Sequence, residues 1–564
     1  MEQIRIVMAV VLSILVFLIW DYLFVPHTSP QQPKQHISAI EAPEKAVSKA
    51  GKNQGIAILP NRPPSDFSNE QKIKTDQVAK TFMIDAPLYS AKISGSRACF
   101  TEFDLKRYKE TTEKDSPDKH LVMEDDKKGT GCVHFEVTTK ASGLNNIAYF
   151  SNTKAGTITI QKKPEELSFS SIIEDSVMIE KRYTFYPDSY VVGLEVIVKN
   201  DSGTPVTGTL ALSLNHYLSE KKESRFVFAG PCTYTDRRLE EVKISDIKKK
   251  DDIAGKLSWV AIQTRYFITA IIPNKVDKVV MHLSFTKDES DENSGLVTAQ
   301  YRTPPVTISP HSESIFNYKM YLGPKDIKTL QSVGGDLDKA VNFGWFDFIA
   351  RPCLWLMNQI YRIIPNYGIA IILVTLIIKL LFWPLGTKSY KSMAEMKKIQ
   401  PLMAEIREKY KDDKKKMNEE MMGLYKTYKV NPLGGCLPMI IQIPVFIAFY
   451  RMLYQAIELR HAPFLLWIND LSAPERLFSF NVSIPFMQPP IGIPVLTIIM
   501  GATMFLQQKM QPPAGDPSQA KMMMLMPIFL TVIFINFPSG LVLYFITNNL
   551  FSIFQQRYVT KKNA

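Results

Sequence analysis

Ile369-Ala370-Ile371-Ile372-Leu373-Val374-Thr375-Leu376-Ile377-Ile378-Lys379-Leu380-Leu381-Phe382-Trp383-Pro384-Leu385 is apolar almost throughout, and an ammonium sits inside it. As part of Tyr367 to Leu385 it is long enough to cross a bilayer, which takes roughly 17–25 residues of helix. A lysine at such a place costs roughly 2.5–3.5 kcal/mol on insertion scales. Two arrangements relieve that cost. Lys379 lies close enough to Leu385, about 9 Å along a helix, for its stem to snorkel toward the nearer headgroups. Alternatively, its charge faces water or a partner inside a helix bundle, the usual mark of a functional site.

Four further segments of this length flank the first: Ile4 to Val25, Leu437 to Leu453, Ile491 to Gln508 and Met523 to Ile546. Five spans are therefore expected. The first is read as an uncleaved anchor, because Trp20-Asp21-Tyr22-Leu23-Phe24 follows it without an A-x-A-like cleavage site. Orientation follows from basic residues in short loops. Lys388 to Val430 carries 12 Lys/Arg against 7 Asp/Glu, whereas Ala456 to Pro490 has only Arg460 and Arg476 against Glu458, Asp470 and Glu475. The first loop is expected inside the cell, with the N-terminus and the tail bearing Arg557, Lys561 and Lys562, and residues 26 to about 340 outside.

The chain of 564 residues is 46% hydrophobic, with 67 Lys+Arg against 55 Asp+Glu. Residues 1–25 form the anchor, and the Pro-rich, polar residues 26–76 read as a tether. Residues 77–340 alternate short strand-like runs with turns, including Thr157 to Ile160, Val191 to Val198, Thr207 to Leu214, Trp259 to Ile272 and Val279 to Phe285. That pattern predicts an all-β sandwich. In residues 341–364, Trp345, Phe346, Phe348, Trp355, Tyr361 and Arg362 suggest interfacial amphipathic helices interrupted at Pro352. The second span occupies 365–386, a cytoplasmic helical hairpin 387–430, spans three to five 431–556, and a short basic tail 557–564. In the hairpin, Pro401 should kink the first arm. Met393, Met396, Met403, Met417, Met421 and Met422 form either its inner seam or a pliable surface for clients.

Little in this chain points to an enzyme. His120, His134, His216, His282 and His311 lack metal-ligand spacing, the five cysteines form no C-x-x-C pair, and Cys99, Cys132 and Cys232 allow at most one external disulfide. Neither a metal nor another cofactor is expected, nor a nucleic-acid role. No G-x-x-x-x-G-K-[ST], H-E-x-x-H or G-x-S-x-G motif occurs, which disfavours an ATP-driven pump or a familiar membrane protease. In the spans, Thr375, Gln442, Thr503, Gln507, Gln508, Asn536 and Asn548 accompany Lys379. Such groups can simply bond helix to helix. Together with an ammonium, they read better as the lining of a hydrated concavity. Pro438, Pro444, Pro527 and Pro538 would bend the third and fifth spans around it.

Asn431-Pro432-Leu433-Gly434-Gly435-Cys436-Leu437-Pro438, Gln442-Ile443-Pro444-Val445-Phe446, Glu458-Leu459-Arg460, Gln507 with Lys509-Met510, and Phe537-Pro538-Ser539-Gly540-Leu541-Val542-Leu543-Tyr544 closely resemble the YidC membrane-protein insertase family. The resemblance implies a non-enzymatic insertase and chaperone of the Gram-negative inner membrane, acting alone or with the Sec translocon. It also implies a periplasmic β-supersandwich similar to sugar-mutarotase folds, with both chain termini cytoplasmic. Nascent membrane proteins would be the clients; the Sec translocon with its accessory subunits, the ribosome or a targeting receptor, and membrane lipid are the further candidate partners. By this resemblance Lys379 occupies the place of the family's groove cation, more often Arg. It also implies that Thr375 and Gln442 line the groove and that clients slide past Tyr544 and Phe545; the polar pattern of the spans adds Thr503, Gln507 and Asn536 to the expected groove, and the third span adds Ile443 and Pro444 to the expected slide. Asn536 stands where some relatives have Trp. Two rivals remain at this stage: a transporter or channel with Lys379 as counter-ion, and an anchored carbohydrate-active periplasmic protein.

Overall fold

The computed structural model describes residues 80–122, 129–138, 148–174, 176–219, 227–288, 294–428, 437–480, 484, 487–511 and 517–562. The expected anchor 1–25, the tether 26–76 and the run Asn431 to Cys436 lie outside the described residues.

Alternation at period two builds the β half. Val177–Phe185 buries every second residue, so Val177, Ile179, Tyr183 and Phe185 point into the core. That strand belongs to a 13-stranded sheet, which faces a 5-stranded sheet in which Thr81–Asp85 and Tyr89–Ser94 pair antiparallel. Aromatic edges lock the two together: Phe82 meets Phe169 at 5.4 Å, and Phe100 meets Tyr183 at 5.7 Å. The expected sandwich is thus present, although Trp259 to Ile272 is two strands, Asp252–Gln263 and Phe267–Pro273. Cys99 and Cys132 are joined by a disulfide, and Cys232 is free and buried.

Helices follow. A short α1 (Ile327–Val333) starts at Asp326, whose carboxylate accepts from Thr329 N. In α2 (Asp347–Ile363) Ala350, Cys353, Leu354 and Met357 are buried, while Phe348, Trp355 and Ile363 stand exposed. Pro352 does not interrupt this helix, contrary to expectation. It removes one backbone donor, and the helix is held through it by the packing of Ala350, Cys353, Leu354 and Met357. Asn366 caps α3 (Tyr367–Leu381) by accepting from Ile369 N.

The helix expected over 365–386 ends sooner, because the chain bends by 66° at Phe382 into α4 (Trp383–Lys398). Next come α5 (Gln400–Lys409), with Pro401 at its start, and α6 (Lys414–Thr427), which packs back on it. The break at Ile399 is where Pro401 was expected to kink the arm.

The remaining helices are α7 (Leu437–Gln455), α8 (Val495–Met510), α9 (Pro517–Phe534) and α10 (Ser539–Lys562). Ile491–Ile493, expected to open the fourth span, is instead a strand paired with Leu477–Phe480. The single fifth span expected over Met523 to Ile546 is corrected to two helices, α9 and α10, separated at Ile535 to Pro538. Pro538 cannot donate within a continuing helix, and Asn536 places a polar turn residue beside it. The tail is likewise helical as far as Lys562. Among the described residues no single helix is both long and apolar enough to cross a bilayer by itself, and the bent pair α3 and α4 meets that test together.

Helix directions can be read from paired contacts. Thr503 bonds Asn549 and the Met510 carbonyl bonds Gln556, so α8 and α10 run the same way. Lys379 bonds Ser552 while Gly540 lies against Ile371, so α3 runs with them. Two helices pointing alike, joined through α9, require α9 to return between them.

Candidate functional site

Lys379 occupies the last turn of α3 and is half-buried. Its Nζ donates to Ser552 Oγ at 2.8 Å and to Gln442 Oε1 at 3.4 Å. Gln442 Nε2 in turn donates to Asn548 Oδ1 at 2.5 Å, and Ser552 Oγ donates to the Asn548 carbonyl at 2.7 Å. A closed ring of one ammonium and three neutral side chains therefore links α3, α7 and α10. Each partner is an uncharged dipole, so the ring holds the charge in place without neutralising it.

The structure sorts the other expected groove residues. Thr375 is buried one turn before Lys379 and turns its hydroxyl back to the Ile371 carbonyl. Thr503 accepts from Asn549, on a different face of α10 from Asn548, and Gln507 lies one turn further along α8. Neither joins the ring. Asn536 is at the opposite end of the bundle, in the turn between α9 and α10, where its Oδ1 accepts from Gln488 N at 2.9 Å and Arg476 Nη2 at 3.3 Å. It is corrected from a groove residue to a turn residue. Ser552 was missed. The polar stripe Asn548, Ser552 and Gln555 at helical spacing was the available signal.

Of the expected sliding surface, Ile443 is exposed and Pro444 half-buried on α7, whereas Tyr544 is 2% exposed and stacks on Phe449 at 4.9 Å. Tyr544 is thus a core contact between α7 and α10. Phe545 is half-buried between Phe446 and Phe534, at 5.1 and 4.8 Å. In the hairpin, Met396, Met403 and Met421 surround Ile399, Leu424 and Tyr425 as an inner seam. Met393 and Met417 are half-buried outside that cluster, and Met422 is exposed. Both readings of the methionines thus have residues.

The sandwich is seated on the loop between α7 and α8. Arg265 donates to the Tyr454 carbonyl at 2.7 Å and the Ser472 carbonyl at 3.3 Å, and lies 3.8 Å from the Tyr454 ring. Arg460 reaches the opposite way, to the carbonyls of Lys109 and Glu110. In the same loop burial pushes the Glu458 carboxyl up, although Asn358 donates to it at 2.9 Å. One histidine is less scattered than its spacing suggested: the nitrogen and oxygen atoms of Glu102, Asp104 and His120 lie within 4.8 Å of one another. Cross-strand pairing accounts for this group, since Lys92 faces Glu102 and His120 faces Asp104 in register.

Residues 359–564 match the family model described as 60Kd inner membrane protein, and residues 81–356 match the one described as YidC periplasmic domain. The chain is 40% identical over 564 residues to a protein of Syntrophobacter fumaroxidans called membrane protein insertase YidC, covering 99% of both. A protein of the same name from Pelobacter propionicus is 38% identical, again over 99% of both chains. Among solved structures, a crystal structure described as an active YidC insertase with its first transmembrane domain resolved aligns over 84% of this chain and 91% of its own, at 19% identity and a TM-score of 0.35. A galactose mutarotase related enzyme from Lactobacillus acidophilus aligns over 43% of this chain and 97% of its own, at 10% identity and a TM-score of 0.31. This chain belongs to the YidC family of membrane protein insertases, non-enzymatic proteins of the inner membrane that carry a periplasmic domain.

Proposed function

We propose that this insertase works through the ring of Lys379, Gln442, Asn548 and Ser552, which lines a hydrated groove open to the cytoplasm. The observation that carries the proposal is that, among the described residues, the ammonium is hydrogen-bonded by neutral groups, which leaves its charge available to an arriving anion. An acidic N-terminal tail of a nascent membrane protein enters the groove, drawn by Lys379. Its apolar segment then leaves past Ile443 and Phe545 into lipid, where burial of about 20 apolar residues supplies the driving force. No bond is made or broken.

The hairpin of α4 to α6 lies on the cytoplasmic side, where exposed Met422 and the basic residues meet the client and the ribosome or targeting receptor. The sandwich stands in the periplasm. Both chain termini are cytoplasmic, and α3, α7, α8, α9 and α10 cross the membrane. Support comes from the basic content of Lys388 to Val430 and from the shared direction of α8 and α10. Cooperation with the Sec translocon and its accessory subunits belongs to the same proposal.

The test is insertion of a single-span client with an acidic tail into liposomes containing only the purified full-length protein, scored by protease protection. Wild type should protect the tail and Lys379→Ala should not. Equal protection by both would remove the electrostatic role of Lys379.

A further inference from the structure

The loop between α7 and α8 carries a second apolar surface, at the far end of the bundle from Lys379. From Leu477 to Gln508 the chain contains no Asp, Glu, Lys or Arg. That uncharged stretch includes the hairpin of Leu477–Phe480 and Ile491–Ile493 as well as most of α8, with Pro494 alone between them. Phe478, Phe480 and Ile493 stand exposed on this hairpin, and Leu465 and Leu466 stand exposed on the preceding turn. Water-facing loops of this length ordinarily carry charge, and clustered exposed apolar side chains mark an interaction surface.

The backbone gives an independent sign. Leu466 and Phe478 both have φ of 58°, a left-handed conformation that bulky L residues rarely adopt. Leu466 is 86% exposed and Phe478 68% exposed, so neither gains burial within the protein in return for that strain. Both are nonetheless held firmly from below. Trp467 donates to Glu475, Glu475 accepts from Leu496 N at 3.0 Å, and Arg476 ties the hairpin to the Ile535 carbonyl at 2.8 Å. At this end of the loop Glu475 and Arg476 thus turn inward while Leu465, Leu466, Phe478, Phe480 and Ile493 stand outward, the reverse of a water-facing turn.

We infer that the hairpin with Leu465 and Leu466 is a lipid anchor, seated in the periplasmic leaflet at the headgroup and acyl-chain boundary. Lipid is the favoured occupant because the surface is continuous, without an intervening charge, with the outer face of α8. It lies beside α8 and the turn between α9 and α10, whereas the exposed Phe348, Trp355 and Ile363 of α2 belong to a helix packed on α3 and α7. Two floats attached to different helices resist tilting of the bundle better than one. This inference rests on the membrane placement of α8.

Four single tryptophan substitutions in the full-length protein, reconstituted in nanodiscs, separate the outcomes: Leu466→Trp, Phe478→Trp, Ile498→Trp on the exposed face of α8, and Val276→Trp, which is exposed at the far end of the strand that begins with Phe267. Quenching beyond that of the parent protein is read with phospholipids brominated near the top or near the end of the acyl chain. The expected result is at least twofold stronger quenching at positions 466 and 478 than at 276, with the shallow bromines more effective. If Ile498→Trp is quenched while 466 and 478 behave like 276, the anchor is overturned and a protein partner becomes the occupant. If Ile498→Trp also escapes quenching, the membrane placement of α8 falls and the anchor with it.

Discussion

Lys379 Nζ lies 2.8 Å from the hydroxyl of Ser552, and that hydroxyl donates its own hydrogen bond to the carbonyl of Asn548. Ser552 therefore acts only as an acceptor toward the ammonium. Hydrogen bonds to charged groups contribute about 1.5–3 kcal/mol. Ser552→Ala should lower the thermal stability of the purified protein by about 1–2 kcal/mol and weaken, without abolishing, insertion of acidic-tailed clients, because Gln442 still reaches Lys379. Lys379→Met should instead abolish that insertion at little cost in stability. Unchanged melting and unchanged insertion in Ser552→Ala would mean that the bond carries no weight.

Gly368 opens α3 against the ring of Phe464, where an added Cβ would come within 2.0 Å of the ring carbon Cδ2. Asn366 Nδ2 holds the Phe464 carbonyl at 3.1 Å, so the ring cannot simply retreat. Gly368→Ala should destabilise the helical half by about 1–3 kcal/mol through overpacking. Phe464→Leu in the same chain should recover part of the loss, and a melting series of the single and double variants would check it.

Arg265→Ala removes two hydrogen bonds to backbone carbonyls and a contact with the Tyr454 ring. The sandwich should keep its fold but loosen from the end of α7, which carries Tyr454, and from the following loop, which carries Ser472. Limited proteolysis between α7 and α8 should accelerate several-fold, while disulfide status at Cys99 and Cys132 stays unchanged. Arg265→Lys should rescue only partly, since one ammonium cannot span both carbonyls as a guanidinium does.

Lys181 supplies a pH dependence of defined sign. It stands fully buried on the core face of Val177–Phe185, donates to the carbonyls of Arg97 and Ala98 at 3.2 and 3.3 Å, and lies 3.9 Å from the Tyr149 ring. Burial pushes its amine well below the ordinary lysine range. The unfolded chain then binds more protons than the fold between the depressed value and about 10.4, so stability rises with pH across that window, by up to about 1.4 kcal/mol per unit. Below the depressed value the contribution is flat. Denaturant melts of the wild type and Lys181→Met at successive alkaline pH values should show the slope in the first and its loss in the second.

Hydropathy located most of the helical half, and period-two alternation located the sandwich, because both are local consequences of which face a residue must bury. What escaped was long-range. Lys379 signals its own importance, but Ser552 reads as one small polar residue in an amphipathic helix until the fold brings it alongside. Averaged hydropathy also passed over Asn536 and Pro538, which divide one apolar stretch into two helices, and so put Asn536 in the groove rather than in a turn. Tyr544 resembled a sliding surface by its motif, yet its ring is covered by Phe449. Lys181 shows the same limit in the sandwich: alternation places it inward, and only the fold reveals the carbonyls that receive it.

The bond between Lys379 and Ser552 also has a schedule. A ribosome adds roughly 5–20 residues per second, so the 173 residues between these two partners take about 10–35 s to make. Throughout that interval α3 exists without α10, and its ammonium lacks the nearest of its acceptors. The nascent protein must then find its relief in water, in headgroups or in a finished insertase already resident in the membrane. Its own biogenesis poses, for up to about 35 s, a problem of a charge in hydrocarbon that the bonds to Ser552 and Gln442 relieve once the fold is complete.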